Sequence, residues 1–273
     1  MKKIAVQEQH HDRKKIPVII LCGGKGSRLR EETEYKPKPL VDVGGKPILW
    51  HIMKGYAHHG FNKFILCLGY KGHMIKEFFL NYEYMSYDFM MNTKTKEQRI
   101  FDSQNRMEEW EIIFVDTGKD TNTGGRIKKV KKYVPNEIFM ATYGDGLSDV
   151  NIESLLDFHI RQKKMATITG FHPRTKYGQV NIGERGEITS FQEKPSLADY
   201  INGGFFVFDR RFFGYLKEDS VLEREPFERL VEEQQLGLYK HEGFWFAVDT
   251  YKDYLEINGM YESGTTPWMI WRK

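Results

Sequence analysis

The chain has 273 residues, of which 40% are hydrophobic, 14% aromatic and 29% charged, a content that supplies a sizeable core and excludes a largely disordered chain. Its 41 basic and 38 acidic side chains leave a net charge of +3, too even a balance for a dedicated nucleic-acid binder, although small anions need only local positive charge. Cys22 and Cys67 each sit in an apolar run and are expected as reduced core thiols, so a disulfide scaffold or a cysteine-based metal site is excluded.

Residues 1–15 are polar and aperiodic and are expected to be a flexible leader; they lack a secretory apolar segment. No apolar run has the length of a membrane span, so the chain reads as soluble and cytoplasmic, with no membrane partner. Ile16 to Cys22 is a β-branched run apolar on both faces, as suits a strand buried in a parallel sheet. Residues 47–59 carry Ile48, Leu49, Ile52, Met53 and Tyr56 at helical spacing, with Gly60 as the stop. Phe64 to Leu68 reads as a strand and Lys71 to Phe79 as a helix. Glu111 to Val115 and Ile138 to Thr142 read as two further strands. This alternation predicts right-handed crossovers and a twisted, largely parallel sheet.

Residues 82–109 are rich in Tyr and Met without a period, as a lid or an oligomer contact would be. Beyond about residue 164, Met165 to Phe171, Gln179 to Ile182, Glu187 to Gln192 and Ile201 to Phe208 read as short strands of an antiparallel region. Gly183 to Gly186 is the candidate tight turn between the middle two. Phe205 to Phe208 with Phe212 and Phe213 reads as core, and Glu223 to Glu233 as a helix with a solvated face. The histidines show no metal-ligand spacing.

The strongest local signal follows the first strand: Gly23-Gly24-Lys25-Gly26-Ser27-Arg28-Leu29. Glycines there let backbone N–H groups approach an anion closely. The order Lys25-Gly26-Ser27 is not that of a Walker loop, and Leu29 stands where a dinucleotide fingerprint has its third glycine. A plain tight turn would also fit the loop taken alone. Ten residues after Arg28, however, Lys38 stands between Pro37 and Pro39, which should hold it extended and exclude helix. A lysine on a stiff segment beside a glycine turn is the fixed point charge that phosphate transfer requires.

With Gly44-Gly45-Lys46-Pro47, Gly69-Tyr70-Lys71-Gly72, Asp116-Thr117-Gly118, Thr123-Gly124-Gly125-Arg126, Thr142-Tyr143-Gly144-Asp145-Gly146, Phe191-Gln192-Glu193-Lys194-Pro195 and Asn202-Gly203-Gly204-Phe205-Phe206, these motifs resemble the sugar-phosphate nucleotidylyltransferases over about residues 16–271. The match is nearest to members that move CMP from CTP to glucose 1-phosphate. The resemblance implies an α/β fold of the nucleotide-diphospho-sugar transferase type: a Rossmann-like, mixed but mainly parallel sheet with a smaller antiparallel sugar-binding region. Residues 16–273 would form a single domain, with 16–164 on the nucleotide, 165–250 on the sugar phosphate and 251–273 as a tail. It also implies Mg²⁺, the two small-molecule substrates, and a homo-oligomer assembled through the tail and the middle segment.

Carried onto this chain, the resemblance assigns Cys22, Gly23, Gly24, Gly26, Ser27, Arg28, Lys38, Thr123, Gly124, Gly125 and Arg126 to the nucleotide. Arg28, Lys38 and Asp145 would be catalytic, with Arg126 in a glycine-rich turn near the base or phosphates. Asp145 follows a strand at its carboxyl end, the ligand side of an open sheet, and with Asp249 would bind Mg²⁺. Tyr143, Tyr177, Gly178, Glu193, Lys194, Asn202 and Gly203 would meet the sugar phosphate. Asp149 is expected instead to cap the helix that follows it. The same chemistry on another NTP or sugar phosphate, and a non-catalytic binder that kept the fold, are the alternatives.

Overall fold

The computed structural model describes residues 12–101, 108–173, 175, 177–193, 195 and 197–272. Of the expected leader, residues 1–11 lie outside the described residues; Arg13–Lys15 form one 3₁₀ turn, with Arg13 paired to Glu153. The core elements in chain order are β1 (Pro17–Cys22), α1 (Ile48–His58), β2 (Lys63–Leu68), α2 (Gly72–Leu80), β3 (Glu111–Asp116), α3 (Thr123–Lys129) and β4 (Ile138–Tyr143). They continue with α4 (Ile152–Gln162), β5 (Ala166–Phe171), β6 (Ile201–Asp209), α5 (Glu225–Glu232), β7 (Leu236–His241) and α6 (Tyr251–Glu262).

The seven strands form one sheet in the order β7-β5-β6-β4-β1-β2-β3. Only β6 runs against its neighbours; every other pairing is parallel. β1 is buried along its whole length, and its alternation splits it between two cores. Val18, Ile20 and Cys22 face the cluster of α1, Phe61 and Trp268, whereas Ile19 and Leu21 face Ile127, Val130, Phe212 and Leu230. Helices therefore cover both faces, the condition for a continuous apolar strand. α1 ends where expected: Gly60 takes φ +87° and its N–H donates to the Ala57 carbonyl at 2.9 Å.

Two expectations change. The stretches 165–171 and 201–208 pair antiparallel as expected, but as β5 and β6 they lie inside the main sheet rather than in a smaller region beside it, and both are largely buried. Only Gln179–Ile182 and Ile188–Gln192 make a hairpin apart, joined by the expected turn with Gly186 at φ +83°. Asp149 does not cap α4; Asn151 does, accepting the Ser154 N–H at 2.8 Å. Asp149 instead takes the Phe244 N–H at 2.7 Å and faces His241 Nε2 at 2.8 Å, because it follows a short strand, not the helix turn itself. In the middle segment, Tyr82–Ser86 is a short helix and Phe89–Met91 pairs with Gln98–Ile100, elements too brief to leave a period.

Candidate active site

β1 has β2 on one side and β4 on the other, and the chain runs outward through β2 and β3 before returning to β4. The carboxyl ends of β1 and β4 thus bound the switch point, where an open sheet leaves a crevice. A cleft of about 370 Å³ opens there, lined by the glycine loop, Lys38, Asp145, Asp249 and the segment 121–123 with Arg126 and Tyr143. Register places Leu21 beside Tyr143, so the loops after both strands meet across the cleft.

The glycine loop is shaped by its neighbours. Gly26 takes φ +61°, and its carbonyl accepts from Thr33 Oγ1 at 2.9 Å and from the Leu29 N–H at 2.9 Å. A Cβ on Gly23 would fall 2.1 Å from the Arg126 guanidinium, whereas one on Gly24 would meet nothing within 4 Å. Gly24 therefore presents bare backbone to open space, as close anion approach requires. Cys22 lines the cleft but is no nucleophile, since burial first of all holds its thiol well above the usual range. Burial pushes the Cys67 thiol up to about 12.

Lys38 opens a 3₁₀ turn, Lys38–Leu40, after an extended Pro37 (φ −68°, ψ 146°). The two prolines thus allow one tight turn, because Pro39 occupies a position whose N–H would have had no partner. The turn carries Lys38 Nζ 2.6 Å from Asp145 Oδ2 and 2.7 Å from Asp249 Oδ1. Its side chain is 12% exposed. Burial by itself lowers the ammonium pKa, but Asp145 and Asp249 outweigh it and leave the pKa raised, so Lys38 stays charged. Arg28, largely exposed, reaches the same Asp249 Oδ1 at 3.0 Å.

Asp145 and Asp249 meet through a small sheet. Gly146–Ser148 pairs antiparallel with Trp245–Ala247, and the Val248 N–H donates to the Asp145 carbonyl at 3.1 Å. Asp249 then leads into the capping box of α6, where Thr250 and Asp253 exchange hydrogen bonds. The two carboxylates converge on a single cationic atom, an all-oxygen donor pair of the kind a hard divalent cation takes with phosphate oxygens completing its shell. Their chemistry fits a hard divalent metal ion.

Thr123-Gly124-Gly125 is not a turn, as expected, but the first turn of α3, and Arg126 is buried on it. Gly124 and Gly125 are required by closeness: a Cβ would meet Ser220 and the Glu218 carbonyl. The Arg126 guanidinium donates to the carbonyls of Gly23, Leu68, Gly118 and Lys119 and to Thr117 Oγ1, between 2.7 and 3.2 Å. It lines the cleft while pinning the glycine loop to the loops after β2 and β3. Replacing it with leucine would strand several buried acceptors, and a loss of about 3 kcal/mol in urea unfolding is expected. A loss under about 1 kcal/mol would show that water replaces the clamp.

Next to the Tyr143 end of the cleft, Asn202 Nδ2 donates to the Tyr143 hydroxyl at 3.2 Å, and the Gly203 carbonyl accepts from Trp245 Nε1 at 2.9 Å. Tyr177, Gly178 and Glu193 lie at the hairpin, and neither they nor Asn202 and Gly203 are among the residues that line the cleft. Gly178 packs against Phe191 and Glu193, where its missing side chain leaves room for them. Lys194 lies outside the described residues. Sequence reasoning missed Thr121 and Asn122 in the cleft wall, although they adjoin the Thr123 motif. It also missed Glu223, which bonds Thr123 Oγ1 and the Tyr143 hydroxyl from 100 and 80 residues away and sits in no motif.

Residues 17–264 match the nucleotidyl transferase family. The chain is 45% identical over 255 residues to a protein of Bacillus subtilis (strain 168) named probable glucose-1-phosphate cytidylyltransferase, covering 93% of this chain and 99% of the relative. It is 44% identical over 256 residues to glucose-1-phosphate cytidylyltransferase of Salmonella typhi, covering 93% and 98%. Among solved structures, HddC of Yersinia pseudotuberculosis superposes with a TM-score of 0.64 over 90% of this chain and 99% of that one, at 20% identity. That likeness concerns the fold.

Proposed function

The chain belongs to the nucleotidyl transferase family, and from that premise we propose that it is a glucose-1-phosphate cytidylyltransferase, joining CTP and α-D-glucose 1-phosphate into CDP-glucose and pyrophosphate. Near-full-length relatives in two bacteria carry that name. The convergence of Lys38, Asp145 and Asp249 at the switch-point cleft is the observation that favours catalysis over binding alone. A pure nucleotide binder has no need of two carboxylates facing one ammonium.

In this reading a phosphate oxygen of the sugar 1-phosphate attacks the α-phosphorus in line while pyrophosphate departs from the opposite side. The chain must hold two polyanions together and then balance charge on the equatorial and leaving oxygens. Gly24 to Ser27 would offer backbone N–H groups to the triphosphate. Lys38, held rigid by its turn, would place a fixed positive charge against it, and Arg28 would add a mobile one from the rim. Asp145 and Asp249 would hold Mg²⁺, which when bound neutralises phosphate oxygens. Asn202, Gly203 and Tyr143 would meet hydroxyls at the sugar end, joined by Glu193 and by Lys194, its neighbour in sequence.

Pyrophosphate release with Mg²⁺ tests the proposal across CTP, UTP, dTTP, ATP and GTP, each with glucose 1-phosphate and other hexose 1-phosphates. At least about a tenfold preference in kcat/KM for CTP with glucose 1-phosphate is expected. Turnover with another pair alone would discard the named substrates and keep the chemistry. Folded protein that releases none with any pair would favour a binding-only role.

A further inference from the structure

We infer that Glu223 is a positioning residue of this cleft, which accepts the hydrogen bond of the Tyr143 hydroxyl and leaves the phenol oxygen as a pure acceptor for a substrate hydroxyl. The inference rests on the transferase reading only in requiring a hydroxyl-bearing ligand in the cleft.

The ring of Tyr143 has little freedom. A Cβ on Gly204 would lie 2.5 Å from its Cδ2, and Phe206 meets the ring edge-on at 5.5 Å between centroids. What remains to be set is the direction of the hydroxyl. A carboxylate is acceptor-only, so the bond between Tyr143 and Glu223 Oε1 is donated by the phenol. Asn202 Nδ2 donates to the same oxygen at 3.2 Å. A phenol oxygen has one proton and two lone pairs; the proton and one lone pair are thus committed, and the remaining lone pair can only accept.

Glu223 is itself set by the nucleotide side. Its Oε2 accepts from Thr123 Oγ1 at 2.9 Å, and that hydroxyl oxygen accepts from the Leu222 N–H at 2.9 Å. Leu222 is fully buried beside it, and the Ser220 carbonyl takes the Gly125 N–H at 3.0 Å. Glu223 therefore bridges the first turn of α3 to the end of β4. Hydroxyls reach this region from two sources, a ribose and a hexose, and both present the same donor to the oriented oxygen.

The test compares CTP with 2′-deoxy-CTP, and glucose 1-phosphate with its monodeoxy analogues, in the unaltered enzyme and in Tyr143→Phe, Glu223→Ala, Glu223→Gln and the Tyr143→Phe/Glu223→Ala double variant. In the unaltered enzyme one arm should show at least about tenfold discrimination in kcat/KM against a missing hydroxyl. Tyr143→Phe and Glu223→Ala should each erase most of it, the double variant no more than either. Glu223→Gln should retain it, because the amide oxygen still accepts the phenol proton. Nucleotide and sugar phosphate affinities are also read by calorimetry. If turnover is absent, the transferase reading falls while the discrimination stays measurable. Unchanged discrimination in both single variants, or losses that multiply in the double, would overturn the assignment.

Discussion

Replacing Lys38 with alanine is expected to lower kcat by about a thousandfold while changing sugar 1-phosphate affinity by less than about threefold. The size follows from removing one preorganised charge from a transition state that gathers negative charge, typically about 10²- to 10³-fold per donor. Preorganisation is what Lys38 has and Arg28 lacks. Lys38 is 12% exposed, opens a proline-flanked turn and lies within 2.7 Å of two carboxylates, whereas Arg28 is 73% exposed. The loss should therefore appear in kcat and not in binding of the sugar phosphate. Single-turnover kinetics beside calorimetric binding would separate the two. A variant that keeps turnover within about tenfold of the unaltered enzyme would remove Lys38 from its catalytic role.

Asp145→Asn and Asp249→Asn should each cost at least about a hundredfold in kcat and raise the Mg²⁺ concentration needed for half-maximal turnover by about tenfold or more. The two substitutions differ in their surroundings. Asp145 Oδ2 meets Lys38, while Asp249 Oδ1 takes both Lys38 and Arg28. Asp249→Asn should therefore also loosen the rim arginine and weaken nucleotide binding more than Asp145→Asn. Each variant leaves Lys38 with one carboxylate, so the fold should persist, as near-UV circular dichroism would report. Undiminished turnover at ordinary Mg²⁺ in either variant would sink the assignment of that carboxylate to the metal.

Local chemistry was legible wherever neighbours in sequence also act together. The glycine loop follows a strand whose apolar run marks it as buried, and Lys38 sits in a segment whose prolines restrict it. The same holds for the helix over Ile48–His58 and its Gly60 stop. Other features depend on partners brought from afar. Strands β5 and β6 are glycine-punctuated and read as part of a smaller antiparallel region; they do pair antiparallel, yet hydrogen bonding to β4 and β7 places them in the main sheet. Arg126 stands in a glycine-rich motif that suggested ligand contact and it lines the cleft; the motif did not reveal that its guanidinium also donates to the carbonyls of Gly23, Leu68 and Gly118.

By itself the sequence determined the family, the α/β class, the glycine loop after the first strand and the residue types around it, because these rest on short-range spacing and local backbone preference. Tertiary structure alone decided that Asp145 and Asp249 share one lysine, that Arg126 braces the glycine loop and that Glu223 reaches Tyr143 and Thr123. Each of those contacts joins residues about eighty or more apart. Only strand order and the pairing of Gly146–Ser148 with Trp245–Ala247 bring them within hydrogen-bonding distance. Such pairing is selected by burial of whole faces of the sheet, a property of the assembled chain that no single motif contains.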